Sequence, residues 1–402
     1  MAPKAYIVDY LRTPIGRYGG GLAPVRADDL AAAPIKALLE RHPDLDPSSI
    51  DDVILGATNQ AGEDNRNVGR MAALLAGLPD TVPGTTVNRL CGSGMQAVID
   101  AARAIRNDEA DLVIAGGVES MSRAPFVLPK AETAYPTQAH VATTTLGWRL
   151  VNPEMARMGH TDALGITAEN VASEYDVSRE DQDRFALLSQ EKTAKAMANG
   201  TLDEEIVPVA VSRRRGDADV ISRDEHPRPD TSLEALSRLN PAFAPEGTVT
   251  AGNASGINDG AAALLIASEA AVTRHSLTPL PQVMSSAVVG VPPRIMGIGP
   301  IPAVARLEER AGISIRDVDV VELNEAFASQ SLACLRAFGI APDADHVNPN
   351  GGAIALGHPT GMSGARITGT AALEMRRRNG STAVATMCIG VGQGIALLLS
   401  AP

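Results

Sequence analysis

Three cysteines among 402 residues, Cys91, Cys334 and Cys388, are too few and too scattered for a disulfide scaffold or a CxxC zinc site. A reducing compartment is therefore expected. Positive charge is also scarce: 35 lysines and arginines against 47 acids leave a net −12, so nothing draws the whole molecule to nucleic acid or to an anionic membrane. No apolar run reaches the ~18 residues of a membrane helix. The start, MAPKAYIVDYLRTP, has the plan of neither a signal peptide nor a transit peptide, and the ending Leu399-Ser400-Ala401-Pro402 lacks the S-K-L peroxisomal address. A cytoplasmic protein with no membrane or nucleic-acid partner is the expectation. No cluster of metal ligands is apparent.

What is present is enough apolar surface, 45% of residues, to bury two substantial cores. The two ends of the chain resemble each other. Pro34, Ala37, Leu39 and Glu40 recur as Pro302, Ala305, Leu307 and Glu308, each 268 positions on. Each set precedes an apolar run, Asp51 to Leu55 and Asp319 to Leu323, that reads as a strand. Val87-Asn88 then matches Val347-Asn348, and Leu112 to Gly116 matches Ala383 to Met387, at slightly different offsets but in the same order. A duplication accounts for shared order and spacing better than chance does. In each half, apolar runs alternate with helix-period segments such as Gln96 to Ile105 and Gly364 to Met375, which predicts stacked βα units on a mixed, mostly parallel sheet. Residues between ~120 and ~250 have no counterpart and should form a loop-rich insertion. Within it, Ser178 ahead of Glu180-Asp181 predicts a capped helix to Ala198, and Ile206 to Val211, the turn Arg213 to Asp217, and Asp219 to Ser222 read as a hairpin. The arginine run Arg213 to Arg215 suits that exposed turn better than a phosphate grip.

Three segments carry the chemistry. Asn88-Arg89-Leu90-Cys91-Gly92-Ser93-Gly94-Met95 passes from an extended stretch through glycines into an alanine-rich helix. A cysteine at such a helix start gains thiolate character from free N–H groups and the helix dipole, which should lower its pKa. The same N–H groups would hold an oxyanion. A small buried cysteine, with glycines for tight packing, fits the segment equally well. In Asn348 to Pro359, His358 sits between glycine and proline on a fixed irregular backbone and is the candidate base among seven histidines. Alone, it fits a hydrogen-bonded loop histidine too. Cys388 ends a strand and is followed by Gly390, Gly392 and Gly394. That run enters a last strand, Ile395 to Leu399, and so lacks the helix a phosphate cradle needs. Equivalent positions in two pseudo-symmetric halves should converge on one face, bringing Cys91, His358, Cys388 and Asn324 into one cleft.

Taken together, NRLCGSGMQAV, GGVESMSRAP, AGNASGINDGAAA, NEAFA, NPNGGAIALGHPTGMSGAR and CIGVGQG, in this order, resemble the thiolase family over essentially the whole chain. The resemblance implies a five-layered αβαβα core of two similar halves with a loop domain over the active site. The expected organisation is an N-terminal half over 1–120, rejoined by 250–270, an inserted loop domain over 121–249, and a C-terminal half over 271–402. It implies that Cys91 carries the acyl group, His358 activates it, and Cys388 protonates the leaving enolate. Asn324 would hold a water that forms one oxyanion hole with His358, and the N–H groups of Cys91 and Gly390 the other. Ser255 looks like the pantetheine contact, Arg228 lies near the nucleotide portion, and Phe243, Met296 and Phe327 look like an apolar channel. Coenzyme A is then a substrate with no bound cofactor, the partners are coenzyme A thioesters, and a homodimer or homotetramer is expected.

Biosynthetic acetoacetyl-coenzyme A thiolases carry His-Met-Gly where this chain has Ala163-Leu164-Gly165. AGEDNRNVGRMAALLAGLP, GVESMSRAPFV and TTLGWRLVNPEM instead resemble 3-oxoadipyl-coenzyme A thiolases. A distal substrate carboxylate calls for a cation, with Arg123 and Arg149 as candidates by location. A cysteine hydrolase and a non-enzymatic acyl carrier are the competing functional classes.

Overall fold

A computed structural model describes residues 3–213 and 217–402. The first half runs β1 (Ala5–Arg12), α1 (Ala27–Arg41), β2 (Asp52–Gly56), α2 (Val68–Leu75), β3 (Gly84–Val87), α3 (Ser93–Arg106) and β4 (Leu112–Ser120). The insertion contributes α4 (Leu164–Glu174) and α5 (Arg179–Ala198), after which β5 (Asn258–Ser268) returns to the sheet. The second half runs β6 (Gln282–Gly290), α6 (Pro300–Ala311), β7 (Val320–Leu323), α7 (Ala328–Phe338), α8 (Thr360–Arg378), β8 (Thr382–Ile389) and β9 (Gln393–Ser400).

These strands follow the order β7-β8-β9-β6-β1-β5-β4-β2-β3, with Gly16–Arg17 added against β5. The two half-sheets join at one registered pair, Tyr6 with Gln282, flanked by backbone bonds from Ile7 to Leu280 and Pro281. From that seam outward, β1-β5-β4-β2-β3 mirrors β6-β9-β8-β7, and the outermost place in the second half is filled by Val347 bridged in parallel to Val321. The strand senses repeat as well: antiparallel, antiparallel, then parallel on both sides. The expectation of a mostly parallel sheet is corrected here. β5 and β9 each lie antiparallel to both neighbours, and β9 follows β8 through a three-residue turn, a connection that can only reverse the chain.

Strand periodicity then builds the layers. In β4, Val113 and Ala115 face a central core with α3 and α8, while Leu112 and Ile114 face α1 and α2. In β9, Ile395, Leu397 and Leu399 face the same central core, while Ala396 and Leu398 face α6 and α7. Alternating residues are thus buried on both faces, giving five layers: α1/α2, half-sheet, α3/α8, half-sheet, α6/α7. The two central helices approach closely near their N-termini, where a Cβ on Gly364 would stand 2.4 Å from the backbone nitrogen of Met95. Only glycine fits there.

In the insertion, Ser178 Oγ accepts from the Asp181 N–H at 3.1 Å and caps α5 as expected. Val209–Val211 pairs with Asp219–Ile221, and Arg213 forms an ion pair with Asp219. Arg214 and Arg215 of the arginine run lie outside the described residues. Buried Arg12 of β1 pins the insertion to the sheet, reaching Glu205 at 2.6 Å and Asp224 at 2.7 Å. Among the described residues no helix is long and apolar enough to cross a membrane.

Candidate active site

Cys91 lies in the tight turn that links β3 to α3. Leu90 adopts a left-handed φ of 47°, a conformation that costs a non-glycine residue about 1 to 3 kcal/mol. The turn is held by Asn88 Oδ1, which accepts from the Leu90 N–H at 2.9 Å, and by Ser93 Oγ, which donates to the Leu90 carbonyl at 2.6 Å. A Cβ on Gly92 would stand 2.6 Å from Ile389 Cδ1, so the end of β8 packs directly on the turn. Burial pushes the Cys91 thiol up, while the N–H groups of Gly390 and of Cys91 itself pull it part of the way back. The expected lowering by the helix start is therefore corrected: desolvation outweighs the N–H groups, and Cys91 is a thiol at neutral pH.

His358 is buried, its backbone N–H donating to Asn258 Oδ1 at 2.9 Å. Its Nδ1 lies 2.6 Å from Ser363 Oγ, whose single hydrogen is given to the Pro359 carbonyl at 2.9 Å. Ser363 must then accept from Nδ1–H, which assigns the free lone pair to Nε2. Burial, with the Arg366 guanidinium adding to it, pulls His358 down to about 4. The ring is neutral at pH 7 and able to take a proton.

Asn324 follows the last residue of β7, and its N–H donates to the Thr386 carbonyl at 3.0 Å. Cys388 stands two residues further along β8, which sets the pair side by side. Asn324 Nδ2 is 3.5 Å from His358 Nε2, and its buried Oδ1 has no protein partner. Cys388 is also buried, and both that burial and the nearby Cys91 hold its thiol well above the ordinary range. It keeps its proton at neutral pH.

A cavity of about 230 Å³ opens on Cys91, lined also by Gly390 and Met296 together with the insertion loop around Trp148 and Arg149. Met296, Phe327 and Cys388 share one apolar cluster, and Phe243 meets Phe327 edge-on with ring centroids 6.3 Å apart. Ser255 donates its N–H to the Ala326 carbonyl at 3.0 Å, which places it beside Phe327. Next to it, a Cβ on Gly256 would stand 2.3 Å from His226, whose low pKa, about 4, reflects burial first and Arg228 second. Ser255, Phe243, Met296 and Phe327 are thus contiguous, with Arg228 further out. The two candidate cations part company: Arg123 forms a two-pronged pair with Glu63, both contacts at 2.6 Å, whereas Arg149 lines the cavity.

Glu119 was not singled out from the sequence, although it stands in the GGVES motif. Buried at the cavity, it accepts from the Thr58 N–H at 3.0 Å, the Asn59 N–H at 3.2 Å, and the Thr360 hydroxyl and Gly361 N–H at 2.9 Å each. It therefore clamps the loop after β2 to the N-terminus of α8, just beyond His358. Ser363 was missed as well. A serine five residues after a histidine carries no signal until the α8 turn brings the two together.

The family profile described as "Thiolase, N-terminal domain" matches residues 5–270, and "Thiolase, C-terminal domain" matches residues 277–401. The chain is 61% identical over 396 residues to the 3-oxoadipyl-CoA/3-oxo-5,6-dehydrosuberyl-CoA thiolase of Escherichia coli, covering 98% of this chain and 99% of that protein. It is 59% identical over 399 residues to the beta-ketoadipyl-CoA thiolase of Pseudomonas aeruginosa, covering 99% of each. Among solved structures, the acetyl-CoA acetyltransferase of Bacillus anthracis superposes with a TM-score of 0.92 at 40% identity, covering 100% of this chain and 99% of that one.

Proposed function

The chain belongs to the thiolase family, and we propose that it cleaves 3-oxoadipyl-coenzyme A with coenzyme A, giving succinyl-coenzyme A and acetyl-coenzyme A through an acyl-Cys91 intermediate. The observation that carries this reading is Cys91 at a cavity whose lining residues Met296 and Leu164 pack with buried Cys388, and whose Thr360 stands two residues from buried His358. The near-full-length identity to relatives named for that substrate supports the acyl group.

His358 Nε2 takes the Cys91 proton as sulfur attacks the C3 ketone. The bond between C2 and C3 then breaks, leaving succinyl on Cys91 and the enolate of acetyl-coenzyme A. Cys388, still protonated, delivers its hydrogen to that enolate carbon. The resulting Cys388 thiolate deprotonates incoming coenzyme A, whose sulfur attacks the acyl-enzyme, and the departing Cys91 sulfur recovers its proton from His358. Charge develops on oxygen at each stage. The N–H groups of Cys91 and Gly390 serve one thioester oxygen, while Asn324, whose buried Oδ1 has no protein partner, holds a water that serves another with His358. The apolar cluster of Phe243, Met296 and Phe327, with Ser255 alongside, receives the pantetheine arm, and Arg228 faces the nucleotide end.

The assembly is a homodimer or homotetramer. Among the described residues β3 ends the sheet with an unpaired edge, and Met71, Leu74 and Leu75 of the neighbouring α2 are exposed beside it. Three unpaired thiols suit a reducing cytoplasm.

The test is coenzyme A-dependent cleavage by the purified protein of 3-oxoadipyl-coenzyme A and of acetoacetyl-coenzyme A, with Cys91→Ser as control. Preference for the dicarboxylic substrate, lost in the variant, is expected. Equal use of acetoacetyl-coenzyme A would move the enzyme to general short-chain metabolism. Free acid released without coenzyme A would make it a hydrolase.

A further inference from the structure

The insertion loop that closes the cavity carries a cation with no protein partner. Arg149 is partly buried and lines the same 230 Å³ cavity as Cys91 and Gly390. Among the described residues it makes neither an ion pair nor a hydrogen bond, unlike Arg123, which Glu63 occupies with both oxygens. His160 lines the cavity too. The two segments are joined by Trp148 Nε1, which donates to the Asp162 carbonyl at 3.2 Å, so Arg149 and His160 are presented by one tied wall. Asp162, the acid in that wall, has its own partner in Asn170 Nδ2 at 3.3 Å. Among the described residues Arg149 is left as a cation without a protein partner.

An unpaired guanidinium against apolar walls is incomplete, because its five N–H donors gain most from a carboxylate held in their plane. On the dicarboxylic substrate proposed above, we infer that Arg149, assisted by His160, binds the distal carboxylate of the acyl chain and thereby sets the enzyme's preference for it. A cavity of this size accommodates a short acyl chain between Cys91 and this wall. Arg149 is partly buried, which strengthens the pairing over its value in bulk solvent.

The experiment compares kcat/KM for 3-oxoadipyl-coenzyme A and for 3-oxohexanoyl-coenzyme A, which has a methyl group in place of the carboxylate, in the wild type, Arg149→Ala, Arg149→Lys and Arg123→Ala. The quantity read is the ratio of the two. Arg149→Ala should lower it about 10- to 100-fold, the usual worth of one charge-assisted hydrogen-bonded pair, with Arg149→Lys intermediate and Arg123→Ala within twofold of wild type. A ratio in Arg149→Ala within twofold of wild type overturns the inference, whether both activities fall together or neither moves. A wild type that does not favour the dicarboxylic substrate overturns the proposed substrate as well, so the two failures are distinguishable. A ratio that moves only in Arg123→Ala would transfer the role to that residue.

Discussion

Cys91 should react with alkylating agents as a neutral thiol, not as half of a preformed ion pair. Its pKa stands above the ordinary 9, while that of His358 lies at about 4. Burial therefore holds the sulfur as a thiol and the imidazole as a neutral ring, so the resting pair is uncharged. The consequence is a pH profile. Inactivation by iodoacetamide should rise close to tenfold per pH unit from pH 6 to 9, with no plateau in that range, because only the thiolate reacts. Cys334, pushed up to about 12 by burial, and Cys388 should stay unlabelled while Cys91 is modified, which peptide mass mapping would read. A plateau beginning between pH 5 and 7 would refute the reasoning. It would mean that the N–H groups of Gly390 and Cys91, with the helix start, outweigh desolvation after all.

Other consequences are equally direct. Cys388→Ala removes the proton donor to the enolate and should lower kcat for thiolysis by about 10²- to 10⁴-fold, measured by steady-state cleavage. Glu119→Ala strands three backbone N–H groups and a hydroxyl. It should cost about 3 kcal/mol, with Glu119→Gln costing less, both read as urea midpoints at fixed protein concentration. His226 and His358 are held near 4 against an ordinary 6.5. Above pH 6.5 both states are neutral and stability is full; between 6.5 and 4 the unfolded chain binds protons that the folded one refuses. Stability should therefore fall with decreasing pH by about 3 kcal/mol per histidine across that window, and His226→Gln should flatten the slope.

Much of the architecture was legible because duplication repeats local patterns. The matched positions Pro34/Pro302, Asp51/Asp319, Val87/Val347 and Leu112/Ala383 fall in or beside equivalent elements of the two half-sheets. Ser178 announced α5 because a capping hydroxyl acts on N–H groups three residues away. The strand senses were less accessible. Nothing local in Asn258–Ser268 states that it runs against β4, since that follows from where the insertion delivers the chain.

The site divides the same way. The residue types and their order, a cysteine before a helix, a Gly-His-Pro loop, a second cysteine at a strand end, were determined by the sequence, because six motifs in register identify a family without any coordinates. Charge state, tautomer and pairing were decided only by the tertiary structure. The Cys91 thiol rises because residues nearly 300 positions away bury it, His358 is aligned by Ser363 and Asn258, and Arg123 was eliminated as the unpaired cation by Glu63. Desolvation and hydrogen bonding depend on neighbours in space, and most of those neighbours are remote along the chain.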